Sequence, residues 1–528
     1  MKIKKYINIL LWLFITKTAF AQPTNINLST TTLVASEPFM AINPTNTQNI
    51  VVGWMALDAS TGYKMAIKTK ASFDGGTSWA NQNIQPHFSS TWNSADVSMH
   101  FTNDGMLHLT YVDFRQSPDS GGVFYTHSID GGVTWIAPIQ VWNGNTEDAA
   151  KRPFDRPWIV ADNSGSINNK VLYLTTKPAP WITSPSNRPY LKFSADSGQT
   201  WSTYRYIDTT NYLVGSYTSP MASPAVGPTG AFFAAYPSYN ISQSPFLKFF
   251  LAKSNNRGGT FTYSDIIVSP TIAAQPNYKK AWHLAANPAN SNQLAFAYIG
   301  SAYGDPDVFI TTTNNGGSTW SSPVRANDDA ISNGKGQDLV WISYSNIGTL
   351  LATWRDRRNA AGTGFSQPTD IYYTTSSNNG ASFKTNKPLT SYTLPHDTAL
   401  LLSDNAFMCS QMLNGNVYAT WGDVRTGNLN IFFTKVVNDT LTFISELNHT
   451  DNLSFSFYPN PASAKVTVKS TNSIFTVSVC DIFGSEIAKL EQKGDLSEID
   501  VSKFPNGTYI LKIYNGKYCS SQKIIVQH

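Results

Sequence analysis

Apolar and polar residues alternate along most of this chain in short runs, and turn residues punctuate the runs at regular intervals. Residues 97–101, 107–112 and 123–127 are such runs, with Asn103-Asp104-Gly105 between the first two. Alternation of period two is the pattern of a half-buried β-strand, and an Asn/Asp-Gly pair suits a tight hairpin. Runs of this kind fall into units of strand, turn, strand, loop, strand, turn, strand. The units begin near Glu37, Asp96, Asp155, Pro220, His283, Asp338 and Asp404. Four-stranded units repeated radially make a β-propeller, which hides its strand edges by closing on itself. The expectation is an all-β propeller of seven blades, with residues 25–35 closing the ring beside the last unit; six blades plus an irregular unit is the alternative.

Six of the units share one turn motif: Ser or Thr, any residue, Asp or Asn, any, Gly, any, Ser or Thr, aromatic. The copies are Ser72-Phe73-Asp74-Gly75-Gly76-Thr77-Ser78-Trp79 and residues 128–135, 194–201, 254–261, 313–320 and 376–383, spaced 56 to 66 residues apart. The seventh unit, with runs at 407–412, 417–421 and 431–436, has none. A fixed period of this size marks a repeat architecture. The third-position acceptor can bond nearby backbone N–H groups, the glycines supply positive φ, and the aromatic packs between neighbouring sheets. Turn chemistry accounts for every position, so the motif is read as structural. It is identified as the Asp-box, or bacterial neuraminidase repeat.

After residue 454 the box pattern stops and a compact β sequence follows. It includes Phe457-Tyr458-Pro459-Asn460-Pro461-Ala462, Val466-Thr467-Val468, Val479-Cys480-Asp481-Ile482-Phe483-Gly484 and Phe504-Pro505-Asn506-Gly507-Thr508-Tyr509. Six or seven short strands joined by Asn-Gly and Pro-Asn turns would make a small β-sandwich. Residues 455–528 resemble the C-terminal sorting domain of the type IX secretion system, which implies handling by that machinery, export across an outer membrane, and release or attachment at the cell surface. A small sandwich that binds carbohydrate or packs on the main domain is the plain alternative.

At 528 residues the chain has room for both domains, and 13% aromatic against 14% charged residues suits strands that bury Trp, Tyr and Phe. Residues 1–21 read as a cleavable secretory leader: Lys2, Lys4 and Lys5, an apolar run over 7–15, then Ala19-Phe20-Ala21. The domain plan is therefore leader 1–21, propeller 22–440, linker 441–454 and sorting domain 455–528. No later stretch is apolar enough to span a membrane. Without the four leader lysines the formal charge of +4 becomes 34 basic against 34 acidic residues, so charge offers nothing to nucleic acid. Three cysteines, Cys409, Cys480 and Cys519, are too few for a disulfide framework; Cys480 and Cys519 could pair, but free buried thiols are preferred. A monomer is expected.

Strand direction places the chemistry. Strand 1–2 and strand 3–4 turns share one face, which holds the boxes, so strand 2–3 loops and the links between blades build the other. Loops converging over the channel of that box-free face are where a ligand is expected. Strand 2 ends carry an aromatic-x-Asp-x-Arg motif in three units: Tyr111-Val112-Asp113-Phe114-Arg115, Trp354-Arg355-Asp356-Arg357 and Trp421-Gly422-Asp423-Val424-Arg425. The links carry Glu37, Asp96, Asp155 with Arg156, His283, Asp338 and Asp404. Asp113, Asp155, Asp356 and Asp423 are candidates for acid or base. Arg115, Arg156, Arg357, Arg425 and His283 are candidates for holding an anionic sugar. Ion pairs that hold blades together would look the same. Metal-ligand spacing, nucleophile elbows and phosphate loops are absent, so neither a metal nor a cofactor is expected.

The boxes, Glu37-Pro38-Phe39-Met40-Ala41-Ile42-Asn43-Pro44 and Asp155-Arg156-Pro157-Trp158-Ile159-Val160-Ala161-Asp162 resemble secreted sialidase-like proteins over residues 36–437. That resemblance implies a secreted or cell-surface protein acting on glycan or polysaccharide, most directly by glycosidic cleavage of an acidic glycan, with a lyase also open. The chain departs from sialidases in two respects. It has no Arg-Ile-Pro near its start, and Glu37 and Glu147 are the only glutamates between leader and Glu446. A non-catalytic propeller that binds glycan or protein at the cell surface is the alternative function.

Overall fold

The computed structural model describes residues 23–437 and 455–528, except 117–118, 149–153, 179–187, 210–220, 239–247, 269–281, 397–405, 471–473, 482–485, 494–495 and 515–518. The leader, the linker, Pro220 and Asp404 lie outside the described residues. The chain divides between Asn438 and Asp439 into two compact units.

The first unit is a seven-bladed propeller of antiparallel four-stranded sheets. The innermost strands are Ala35–Ile42, Asn93–Phe101, Phe154–Ala161, Ser223–Val226, Trp282–Ala286, Asp338–Tyr344 and Cys409–Leu413, and each packs on the next around a closed ring. Six blades run outward in chain order, whereas the seventh takes its outermost strand from the N-terminus, where Ile26 and Asn27 pair with Phe433 and Phe432. This clasp accounts for the missing seventh box: the outermost position of that blade is taken by Ile26 and Asn27, so among the described residues no strand 3–4 turn is needed there. Asn430 fastens the clasp, accepting from Ser29 Oγ at 2.7 Å and from the Thr31 N–H at 2.9 Å.

Second and third strands are buried on both sides, as Leu294–Gly300 and Asp370–Ser376 are throughout. The cores lie between consecutive blades; Val51, Ile67 and Ala71 of the first pack on Val97, Met99 and Leu109 of the second. Outermost strands such as Asn83–Ile84 and Val324–Arg325 span two residues, which leaves little open edge.

Each box is a staple between blades. In the second, Thr134 N–H and Oγ1 donate to the Asp130 carboxylate at 2.9 and 2.5 Å, Ser128 Oγ donates to it at 2.7 Å, and Gly132 N–H donates to Ser128 Oγ at 2.8 Å. The box glycine then lies against the preceding blade. A Cβ on Gly198 would meet Tyr125 at 2.1 Å, on Gly317 Leu251 at 2.2 Å, and on Gly76 Phe433 of the last blade at 2.4 Å. The six staples therefore cover six of the seven seams between blades, and the seam between the sixth and seventh blades has no box.

The second unit has a sheet of Phe455–Tyr458, Lys465–Ser470 and Leu496–Asp500 and another of Glu486–Lys493, Ile474–Cys480, Gly507–Tyr514 and Cys519–Val526. Alternate residues Val466, Val468, Val477, Val479, Leu511, Ile513, Ile524 and Val526 fill its core. Cys480 is a free, buried thiol. Across Gly507–Tyr514 it faces Ile510 while Cys519 faces Tyr514, too far along the ladder for a bridge between those two cysteines.

Candidate functional site

First strands enter from the box-free face, and four of them carry a one-residue bulge there. The register slips between Ser36 and Phe39, Ala95 and Ser98, Asp155 and Trp158, and Asp338 and Trp341. The second residue of each bulge is left-handed, with φ of 53° at Glu37, 57° at Asp96, 50° at Arg156 and 56° at Leu339. Each such residue costs about 1–2 kcal/mol, and each re-aims a side chain out of the strand's alternation. In register, Asp155 and Asp338 share one level, Glu37, Asp96 and Arg156 the next, and Phe39, Ser98, Trp158 and Trp341 the one inside it.

Three carboxyls meet at this frame. Asp96 hydrogen-bonds both Asp155 and Glu37, and its Oδ2 accepts from the Arg156 N–H at 3.1 Å. Glu37 accepts from the Ala406 N–H at 3.1 Å, which joins the first blade to the seventh. Asp155 pairs with Lys177, its cross-strand neighbour, whose side chain is 1% exposed. The Arg156 guanidinium lies 5.2 Å from the Phe407 ring and donates to Met221 Sδ at 3.1 Å.

Protonation of the two aspartates is driven apart. Burial, then the charge of Asp155 and the hydrogen bond to it, push the Asp96 carboxyl up to about 7, although Arg156 and Glu37 pull the other way. Burial would also raise Asp155, but the charges of Lys177 and Arg156 outweigh it and hold that carboxyl below its ordinary range. One proton is thus held between an acid and an anion.

Inside this level an aromatic plug crosses the axis. His283 stacks on Trp341 at 3.9 Å, Trp341 meets Phe39 at 5.5 Å and Trp158 at 5.7 Å, and Trp158 meets Phe407 at 6.0 Å. Burial lowers the His283 imidazole to about 3, so it is neutral, a stacking element of the plug.

The aromatic-x-Asp-x-Arg motifs lie at strand 2 ends and turn inward. Asp113 is fully buried and accepts from the Phe88 N–H at 2.6 Å and Ser94 Oγ at 3.0 Å, with His87 Nδ1 at 3.0 Å. Asp356 accepts from Trp354 Nε1 at 2.7 Å and pairs with Arg358 at 2.9 Å. Arg357 is wholly buried against Asp338 at 3.2 Å and the carbonyls of Gly336 and Phe365. Asp423 repeats the Trp contact through Trp421 Nε1 at 2.7 Å and pairs with Arg425 at 2.9 Å. Arg425 in turn donates to Asn25 at 2.9 Å, beside the clasp. Burial raises the Asp356 and Asp423 carboxyls. Arg115 is half-buried, and its Nε has no hydrogen-bond partner among the described residues.

The structure thus brings together Asp155 and Arg156, and keeps Asp113, Asp356, Asp423, Arg357 and Arg425 in separate, internally paired clips. Asp96, a link residue not singled out for acid–base work, and Lys177 complete the cluster. The bulge frame was the missing signal: a single inserted residue lines up Glu37, Asp96 and Arg156, which counting strands by alternation does not reveal.

Residues 456–527 match the family described as the secretion system C-terminal sorting domain. The chain is therefore a type IX secretion cargo, delivered to the cell surface or beyond it. Among the described residues no helix is long and apolar enough to cross a membrane. No curated protein matches the chain. Among solved structures, a protein of unknown function from Dyadobacter fermentans aligns at 15% identity and TM-score 0.42, over 67% of this chain and 98% of that one. The NanB sialidase of Streptococcus pneumoniae aligns at 11% and 0.39, over 77% and 68%. An α-L-arabinanase of Penicillium chrysogenum aligns at 11% and 0.41, over 79% and 99%.

Proposed function

We propose that this exported propeller cleaves glycosidic bonds of an acidic glycan at its box-free face, with Asp96 and Asp155 as the reacting pair. The observation that carries this reading is a hydrogen-bonded carboxyl pair, one member pushed up towards neutrality and the other held ionised. A protonated Asp96 can deliver its proton to the leaving glycosidic oxygen, while ionised Asp155 takes a proton from the attacking water. Carboxyls bonded to one another are closer than the about 5 Å of an acid and a covalent nucleophile, and than the roughly 6.5–9.5 Å that leaves room for an attacking water. The pair therefore rests as one proton-sharing dyad that the substrate must part before water can attack. Lys177 and Arg156 keep Asp155 ionised. Arg115 is the candidate arginine for holding a sugar carboxylate or sulfate, since Arg156 is engaged with Asp155, Met221 and Phe407 and Arg357 and Arg425 are spent on Asp338 and Asp423.

The second reading, a non-catalytic glycan- or protein-binding propeller, is favoured by the burial and pairing of Asp113, Asp356 and Asp423. One experiment separates the two. The full chain and its Asp155→Asn variant are incubated with sialylated, uronic-acid and sulfated glycans, and released sugars are read by mass spectrometry. Release by the parent, lost in the variant, supports cleavage at this pair; unsaturated sugar ends among the products would make it a lyase. A folded parent that releases nothing but retains a glycan or a protein moves the conclusion to the binding reading.

A further inference from the structure

The ring encloses a second space, which the carboxyl cluster does not use. A cavity of about 560 Å³ lies on the axis, lined by first strands and by the strand 1–2 turns at Asn163, Pro228, Pro288 and Asn346, so it opens on the box face. Phe39, His283 and Trp341 of the plug form its inner end. Its wall is largely apolar, with Ile42, Met99, Val160, Val226, Ala286 and Met412 among the side chains. Among the described residues no Lys, Arg, Asp or Glu lines it. Its two imidazoles are uncharged at neutral pH, because burial lowers His100 to about 4 and His283 to about 3. Hydrogen-bonding capacity comes from His100, Gln411 and the rim amide of Asn346, the Asn163 amide being bonded to Asn103 and Phe101.

We propose that this axial cavity binds a small uncharged molecule, mainly apolar and ring-shaped, carrying one or two hydrogen-bonding groups. The volume falls within the roughly 300–1,000 Å³ of small-molecule sites, and an apolar wall with a few polar groups is their usual composition. An aromatic inner end offers a ring a stacking or edge contact. A carboxylate, phosphate or ammonium would lose its hydration here and find no counter-charge, which excludes ionic ligands. The cavity is thus opposite in chemistry to the charged cluster on the other face, and the proposal stands apart from the reading of that cluster.

The test titrates the full chain with three probes of one ring system, 2-naphthol, 2-naphthoate and 2-naphthylmethylammonium, by calorimetry. Saturable one-site binding of 2-naphthol is expected, with both ions bound at least tenfold more weakly. Ala286→Trp and Val226→Trp fill the cavity and should each abolish binding in protein that melts normally. His100→Phe should weaken 2-naphthol severalfold and leave naphthalene, a fourth probe that lacks the hydroxyl, unchanged. Absent or unsaturable binding of 2-naphthol by folded protein overturns the proposal, as does equal binding of the three probes. Should neither filled variant fold, the comparison of neutral and charged probes still decides.

Discussion

The two faces of this ring are the opposite ends of the same strands, and they are built on opposite rules. At the box face, six turns repeat one set of bonds, from Ser72, Asp74 and Gly76 to Ser376, Asn378 and Gly380. At the box-free face each blade solves its strand ends differently: Asp155 pairs with Lys177, Asp338 with Arg355 and Arg357, Asp307 with Arg325, and Asp113 sits beside His87. Repetition holds where one turn geometry recurs in six of the seven blades. Variation gathers where the ring is not required to repeat, and there polar groups can be committed to a ligand. The faces should therefore respond differently to substitution.

The largest effect is expected from Asp338→Ala. Its carboxylate is wholly buried between two arginines, and although burial would raise it, Arg355 and Arg357 hold it low. Removing it strands both cations, and breaking a buried pair costs about 3–5 kcal/mol. Denaturant unfolding would measure the loss; less than about 1 kcal/mol would mean water reaches the arginines and the clip is not structural. Next comes Gly198→Ala on the box face, where φ is +88° and the new Cβ would strike Tyr125 at 2.1 Å. Overpacking adds about 1–3 kcal/mol to the about 1–2 kcal/mol of a left-handed alanine. Gly165→Ala isolates the second part, because φ there is +72° with nothing within 4 Å. Equal losses at the two glycines would remove the case for blade stapling.

A third prediction concerns pH and belongs to the carboxyl cluster. A carboxyl raised in the folded state binds its proton more tightly there than in the unfolded chain, so stability falls as pH rises through the interval between the two values. For Asp96 that interval runs from about pH 4 to about pH 7. A shift of one pH unit is worth about 1.4 kcal/mol, and Asp155 shares the proton, so a fall on the order of 2 kcal/mol is expected across it. Asp96→Asn should flatten that part of the melting profile. A parent profile already flat between pH 4 and 7 would show that the two carboxyls do not share a proton.

Much of the scaffold was legible in the chain because period-two alternation and turn chemistry are local. The seven units, the six boxes and the closing segment before Ala35 all follow from residues within a few positions of one another. The candidate site was less legible for a physical reason. Trp354-Arg355-Asp356-Arg357 states which charges are near, but not that Arg357 turns to Asp338 while Arg358 turns to Asp356. Equally, Glu37, Asp96 and Arg156 fall at one level only through bulges that break the alternation used to find the strands. The plug of Phe39, Trp158, His283 and Trp341 is assembled from four blades, and no local pattern announces it.

The smallest effect is expected where the comparison is sharpest, in the box aspartate itself. Asp130 accepts from Ser128 Oγ, Thr134 N–H and Thr134 Oγ1, and these bonds outweigh burial and hold its carboxyl low. Three other boxes already carry asparagine. At Asn256 the same oxygen accepts from the Thr260 N–H at 2.9 Å, and Nδ2 donates to Thr260 Oγ1 at 3.0 Å, so the hydroxyl reverses its role and the geometry is kept. Asp130→Asn should therefore change stability by less than about 0.5 kcal/mol, the range of a surface replacement that keeps its bonds. Asp130→Ala removes the acceptor and should cost about 1–2 kcal/mol, as one or two half-exposed hydrogen bonds are lost. Paired unfolding curves of the two variants measure the difference. If asparagine proved as costly as alanine, the box would depend on charge; equal stability of both with the parent would mean that the inter-blade contact of Gly132 carries the staple alone.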